Sequence, residues 1–428
     1  MAVIRIASKL SLGIIVLQLG VAACTTATTL PTPSTEVPLA PSPPALTATP
    51  PSEQEQSNAS EVLISVWLSW KPAGVRAFNE LIQAFQSRFP QVMFSVSYVP
   101  AEGLRSAIEE AATSGALPSV FLAPSIWGPE LMQAGIIFDV SEQPTDELEA
   151  VIHPLAWSQT TSAGQMLGLP VQMHGNVLYR NRGLVSVPAA TVEGLVATAQ
   201  TFRGTTNVGQ SLDFGFDAVG PFSLACGGAL IQQSAPPDLE TDVAPCWLRL
   251  LRELSLAGPV GFNTQEDFMR FEAGEAGWLI ESTERYDDFR TALGSDAVAV
   301  DPWPVYQSTG EPLAGFVWTE NAYFTTALQE DEFSMAWAFV TSLLSAQSQA
   351  ALSNPTGASN LPVHAATVPL VGPPAQMRAA ILGGTALPLW SPDPRYMEAL
   401  ERAARAVSVQ GAEVETALRR AIDELGDV

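Results

Sequence analysis

Between Val62 and Gly135 short apolar runs alternate with amphipathic stretches, and this alternation restricts the fold more than any other feature of the chain. Val62–Leu68, rich in β-branched residues, reads as a buried strand that ends at Ser69 and Trp70. In 73–89, Val75, Phe78, Leu81, Ile82, Phe85 and Phe89 recur at helical spacing until Pro90 stops them. Val92–Tyr98 alternates as a second strand, and Leu104, Ala107, Ile108 and Ala111 mark a helix closed by Gly115. A third strand at 119–123 and a short helix at 128–134 complete the series. Such a series predicts an α/β fold with a mainly parallel sheet flanked by helices. Ligands of these sheets bind beyond the carboxyl ends of strands, which puts Trp70 and Lys71 on one rim with Ser125 and Trp127. Each tryptophan there can stack on a flat ligand face or fill a gap between loop and helix, and the sequence favours neither.

The stretch 164–182 follows, with a hairpin tip at Gly164 and extended runs either side of His174, Gly175 and Asn176. Further on, Thr191 starts a helix to about Phe202, and Asp242 caps one that carries Trp247, Leu248, Leu251 and Leu254. Strands are expected at 278–280, 297–300 and 316–326, with the polar loop Glu281, Ser282, Thr283, Glu284, Arg285, Tyr286 after the first. Helices at 330–344 and 346–352 precede turn chemistry at 353–362. One C-terminal helix is expected from Tyr396 through Leu400, Val407, Val414, Leu418 and Ile422.

With 428 residues the chain is too long for one ordinary core, so two domains are expected behind any processed leader. Residues 1–23 have the form of an export signal, with Arg5 and Lys9 ahead of an apolar run too short to span a bilayer comfortably. Val21, Ala22, Ala23 and Cys24 resemble the lipobox of bacterial lipoproteins, in which Cys24 would be lipidated. Residues 24–60, mostly Thr, Pro, Ser and Ala, contain no apolar periodicity and read as a tether. A lipid followed by such a tether holds a body at a membrane surface. The net charge of −24 opposes contact with nucleic acid or anionic lipid. Cys226 and Cys246 fit either a disulfide or two free thiols.

No Gly-x-Ser-x-Gly elbow, His-Glu-x-x-His pair or Walker loop is present, and His153, His174 and His364 stand far apart without cysteine clusters. An enzyme, a metal site and a cofactor are therefore not expected. Segments 78–92, 114–140, 164–185, 271–280 and 337–352, in that order and behind a lipoprotein leader, resemble family 1 extracellular solute-binding proteins, the group of maltose-binding protein. The resemblance covers about 62–425. It implies the two-lobe periplasmic-binding-protein fold of type II, each lobe a mainly parallel sheet flanked by helices. The implied N-terminal lobe is 61–172 plus 318–355, and the C-terminal lobe 173–317 plus 356–428. Three crossings, near 171–175, 313–317 and 354–361, would join them and let the lobes close on a ligand.

Positions matching the family's cleft are Trp70, Lys71, Ser125, Trp127, His174, Glu281, Glu284, Arg285, Tyr286, Trp318, Glu320, Asn321 and Tyr396. Where sugar binders of the family commonly place an acid in the first crossing this chain has His174, and Ser119 follows Pro118 where an acid is usual. His174 can serve as a ligand contact or as a hinge residue. The resemblance implies a monomeric receptor that is no enzyme, outside the cytoplasm, passing a small polar solute to an ABC permease. That solute would be a sugar or oligosaccharide. A sensor of the same fold and a surface glycan hydrolase are the rivals.

Overall fold

The computed structural model describes residues 61–231, 239–353, 360–366, 369–389 and 394–426, all within the unit 50–428. The signal, Cys24 and the tether, and positions 354–359 of the expected third crossing, lie outside these residues.

The first strand, β1 (Val62–Leu68), runs into α1 (Pro72–Gln86), which starts on Pro72 and turns Phe78, Ile82 and Phe85 inward. β2 (Val92–Tyr98) pairs with β1 in parallel over its whole length, Val62 opposite Val92 and Leu68 opposite Tyr98. α2 (Ala101–Ser114) buries Leu104, Ile108 and Ala111 and stops where Gly115 takes φ 72°. β3 (Val120–Pro124) lies parallel on the other side of β1, and α3 (Gly128–Gln133) follows it. The repeated strand–helix unit read from the sequence is thus present.

Ala163 and Gly164, both at positive φ, form the hairpin tip expected near Gly164. Beyond it runs β4 (Leu169–Asn181), 13 residues long. The helix α4 (Val192–Gln200) is capped by Thr191, whose Oγ1 accepts from Gly194 N at 3.0 Å. The next elements are β5 (Val208–Gln210), α5 (Val243–Leu254), α6 (Glu266–Glu272), β6 (Ala276–Ser282), α7 (Tyr286–Leu293), β7 (Val298–Asp301) and β8 (Phe316–Phe324). Then come α8 (Glu330–Leu343), α9 (Ala346–Ser353), β9 (Leu361–Pro362), α10 (Pro373–Leu382), β10 (Thr385–Ala386), α11 (Pro394–Ser408) and α12 (Val414–Gly426).

The strands assemble in the order β2-β1-β3-β8-β4-β6-β5, with β7 and β9 also on β4 and β10 on β8. Pairing is parallel where βαβ units build the sheet and antiparallel where β8 and β4 enter it. β4 is the shared element. Its residues 169–175 pair with β8, while 176–181 pair with β6 or β7. The switch of partner falls at Gly175, where a Cβ would sit 2.8 Å from Phe316 O and 2.7 Å from the Ile381 side chain. At Gly315 a Cβ would lie 2.3 Å from Asn176 O, so β4 and the start of β8 approach this closely only because 175 and 315 are both glycine.

Two large cores lie along this sheet. One gathers Ile64, Phe78, Phe85, Phe324 and Phe339, and the other packs Trp247, Leu248, Leu251, Trp278, Leu400 and Val407. Cys226 and Cys246 form a disulfide, with Cα atoms 5.8 Å apart, and tie the turn before Gly227 to α5 inside the second core. Arg180 on β4 and Asp301 on β7 make a buried ion pair of 2.8 Å, to which Trp278 Nε1 adds a bond of 3.2 Å.

Two sequence expectations need correction. The single C-terminal helix is two, α11 and α12, because Gly411 at φ 71° interrupts the helical backbone. Asp242 does occupy the position before α5, but its own backbone is helical there and its side chain caps no N–H. Among the described residues no helix is long and apolar enough to cross a membrane.

Candidate functional site

The antiparallel register of β4 and β8 sets Trp318 opposite His174 and Glu320 opposite Gln172. Alternate residues of a strand share a face, so these four side chains form one patch. Trp70, at the carboxyl end of β1, closes over it. Trp70 Nε1 and Gln172 Nε2 both donate to Glu320 Oε2. Glu320 is 7% exposed and has no cationic partner among the described residues. Burial raises its pKa to about 7, against the pull of the indole and amide donors, and the charge of Glu284 adds to the rise.

His174 is buried beside this acid, with its ring 6.3 Å from that of Trp318. Burial lowers its pKa and Glu284 only partly opposes the change, so the imidazole is neutral at neutral pH. His174 Nδ1 and Gln172 Oε1 are both buried without a hydrogen-bond partner among the described residues. Such atoms cost free energy unless something supplies the missing bond. Lys71, next to Trp70, reaches away from the patch. Its Nζ lies 3.4 Å from Asp288 Oδ1 and 3.9 Å from Asp287 Oδ2, and donates to Glu284 O at 3.5 Å.

The same face of β4 continues to Asn176, opposite Ser282 of β6. There it opens on a cavity of about 200 Å³ lined by Asn176, Asp213, Asp217, Asp267, Phe268, Ile280, Glu281 and Arg285, among others. Burial is the first cause of raised pKa values at Asp217, Asp267 and Glu281, and Asp267 reaches about 6. Arg285 lies over the Phe268 ring at 5.0 Å and 3.4 Å from Asp288. Polar side chains therefore run in one row from Glu320 through Gln172, His174 and Asn176 to these acids.

Trp70, Lys71, His174, Glu281, Glu284, Arg285, Trp318 and Glu320, chosen from the sequence, belong to this row or border it. The others do not gather there. Ser125 is buried, donating to Gln159 Oε1 at 2.8 Å and accepting from Thr319 N. Asn321 has the opposite parity from Glu320 on β8, is fully buried, and donates to Gln159 O at 2.9 Å. Trp127 packs in a separate small core with the Arg105 guanidinium 5.4 Å from its ring. Tyr286 is buried in the first large core, and Tyr396 is half-buried in the first turn of α11.

Gln172, Asp213, Asp217 and Asp267 were not picked out from the sequence. Gln172 had a signal, since it stands two residues before His174 in an extended run and so shares its face. The three aspartates had none, because the stretch 213–217 and the distant Asp267 are brought to one cavity only by the tertiary fold. Among the described residues no group of histidine, cysteine and acidic side chains is arranged to hold a metal ion.

A family model described as bacterial extracellular solute-binding protein matches residues 80–377. The maltotriose-binding protein of Pyrococcus abyssi is 22% identical over 144 residues, 34% of this chain, and the chain spans 31% of that curated relative's length. Among solved structures, the cyclic alpha-maltosyl-1,6-maltose binding protein of Arthrobacter globiformis superposes with a TM-score of 0.68 at 20% identity, covering 85% of this chain and 98% of that one. A maltodextrin-binding protein of L. casei also gives 0.68, at 16% identity, covering 86% and 99%. At such identities the structures speak for a common fold. Because the family model covers well over half of the sequence, this chain belongs to the bacterial extracellular solute-binding proteins.

Proposed function

We propose that this protein is the substrate-binding component of an ABC importer, which captures a carbohydrate along the polar row on β4 and delivers it to a membrane permease. The observation that carries this reading is the buried patch of Trp70, Gln172, His174, Trp318 and Glu320, in which aromatic faces adjoin polar atoms that have no hydrogen-bond partner among the described residues. Sugar rings present apolar faces and a rim of hydroxyls, and a hydroxyl can donate to Gln172 Oε1 or to a neutral His174 Nδ1. The Pyrococcus relative named for maltotriose supports a sugar as the solute class.

In this reading the lobes are 61–172 plus 318–355 and 173–317 plus 356–428, with β4 and β8 as crossings between them. The ion pairs from Lys71 to α7 then link one lobe to the other and favour closure over a bound solute. Cys24, lipidated after removal of 1–23, anchors the receptor outside the cytoplasm, and 24–60 gives it reach. It acts as a monomer and breaks no bond in its ligand.

The test is a thermal-shift titration of the purified body with mono- and oligosaccharides, maltotriose included. A binder raises the melting temperature with dose. Trp70→Ala should abolish that rise, whereas a shift unchanged in this variant would place the ligand elsewhere. Radiolabelled permeability assays with the permease genes deleted would then separate import from sensing.

A further inference from the structure

We propose that Asn360 is a further contact residue of the solute, its side-chain amide donating to a hydroxyl oxygen of the sugar. The proposal rests on the carbohydrate reading above and deepens it. Asn360 immediately precedes β9, whose Leu361 and Pro362 lie opposite Met173 and Gln172 of β4. Continued by one residue, this antiparallel register brings Asn360 to His174, on the edge of β4 away from Trp318. Opposed residues of antiparallel strands share a face, so Trp318, His174 and Asn360 make one row across three strands. A Cβ on Gly74 would stand 3.3 Å from Asn360 Nδ2 and 3.3 Å from Trp70 Cβ, which sets the amide beside Trp70 as well.

Asn360 is 7% exposed, and its Nδ2 is buried without a hydrogen-bond partner among the described residues. A side-chain amide nitrogen carries two N–H donors, and a buried one ordinarily spends them. Around it the other side-chain donors of the patch are engaged. Trp70 Nε1 and Gln172 Nε2 both donate to Glu320 Oε2, and Lys71 Nζ turns away to Glu284 O and Asp288 Oδ1. The atoms of the patch left unmet are therefore Gln172 Oε1, His174 Nδ1 and Asn360 Nδ2.

A sugar hydroxyl is both donor and acceptor. One that donates to Gln172 Oε1 or His174 Nδ1 keeps lone pairs of its own, and Asn360 Nδ2 is the donor left to meet them. Acceptors alone would hold an N–H group of a ligand as readily as an O–H group. The amide of Asn360 adds a demand for oxygen, because a solute without one at that place leaves the buried donor unmet.

Titration calorimetry of the purified protein with maltotriose, and with glucose and its monodeoxy analogues, tests this. Asn360→Ala and the similarly shaped Asn360→Leu should each weaken maltotriose and glucose by about tenfold or more, and Asn360→Ser, whose hydroxyl can still donate, should weaken them less. Nδ2 ties no described element, so the melting temperature of the free protein should stay at the wild-type value. In the wild type, an analogue that lacks an oxygen read by the patch should bind more weakly than glucose. One of these deoxy penalties should disappear in Asn360→Ala and Asn360→Leu, a change that a purely packing role would not produce. Wild-type affinity in both variants, or deoxy penalties that all persist in them, would overturn the role of Asn360 and leave the carbohydrate reading standing. A wild type that binds neither maltotriose nor glucose would overturn the role together with that reading.

Discussion

Among the described residues Glu320 and Asp267 are both buried acids without a cationic partner, and the molecule treats them differently. Glu320 receives the indole of Trp70 and the amide of Gln172, and burial still raises its pKa to about 7. Asp267 receives only backbone N–H groups, that of Phe268 at 2.7 Å and its own, and lines a cavity shared with Asp217 and Glu281. The first acid ties β1, β4 and β8 together within the patch proposed to meet the solute. The second is held by the backbone of its own helix, α6, and ties no other element. Asp301 gives the reference for a finished buried acid, held by Arg180 and Trp278. The fold neutralises the charge of Asp301 with a guanidinium, whereas it gives Glu320 and Asp267 neutral donors, and burial raises the pKa of both.

Substitutions at these acids should separate the classes. The largest loss is expected from Asp301→Ala, which strands the buried Arg180 charge and should cost about 3–5 kcal/mol, read from urea unfolding. Reduction of the Cys226–Cys246 bond should cost ~3 kcal/mol, with hydrogen exchange rising mainly around α5. Glu320→Gln should do the reverse at high pH. Because the folded-state pKa is raised, the unfolded chain ionises first as pH climbs from about 4.5 to about 7. The wild type should then lose about 3 kcal/mol relative to the variant across that window, and none below it. Melting curves from pH 4 to 8 would show this, and parallel profiles for the two proteins would mean that Glu320 is solvated and ionised. The smallest effect belongs to Lys71→Met, about 0–1 kcal/mol and absent in high salt, since the pair is half exposed.

The elements legible in the sequence were those whose signal is local. The spacing of Phe78, Ile82 and Phe85 marked α1, Gly115 marked the end of α2, and Thr191 the start of α4. Gly411 was locally visible too, but the apolar spacing of Val407, Val414 and Leu418 continues past it and suggested one helix. At the site, Trp70 follows a strand whose carboxyl end is expected at the ligand-binding rim, and Glu320 matches a cleft position implied by the family resemblance. Their bond, across 250 positions of sequence, depends on β8 lying beside β3, which no local pattern encodes. Ser125 shows the limit of choosing by rim position and Asn321 the limit of choosing by family position, since strand parity and Gln159 turn both into internal ties.

The central claim is that the face of β4 carrying Gln172, His174 and Asn176 binds the solute. Hydrogen exchange of the body with and without a saturating sugar, taken from the thermal-shift hits, tests it most directly. The account predicts slowed exchange in 172–176, at 280–286 and around Trp70, with α5, α11 and α12 unchanged. Protection confined to other surfaces, with 172–176 unaffected, would contradict it.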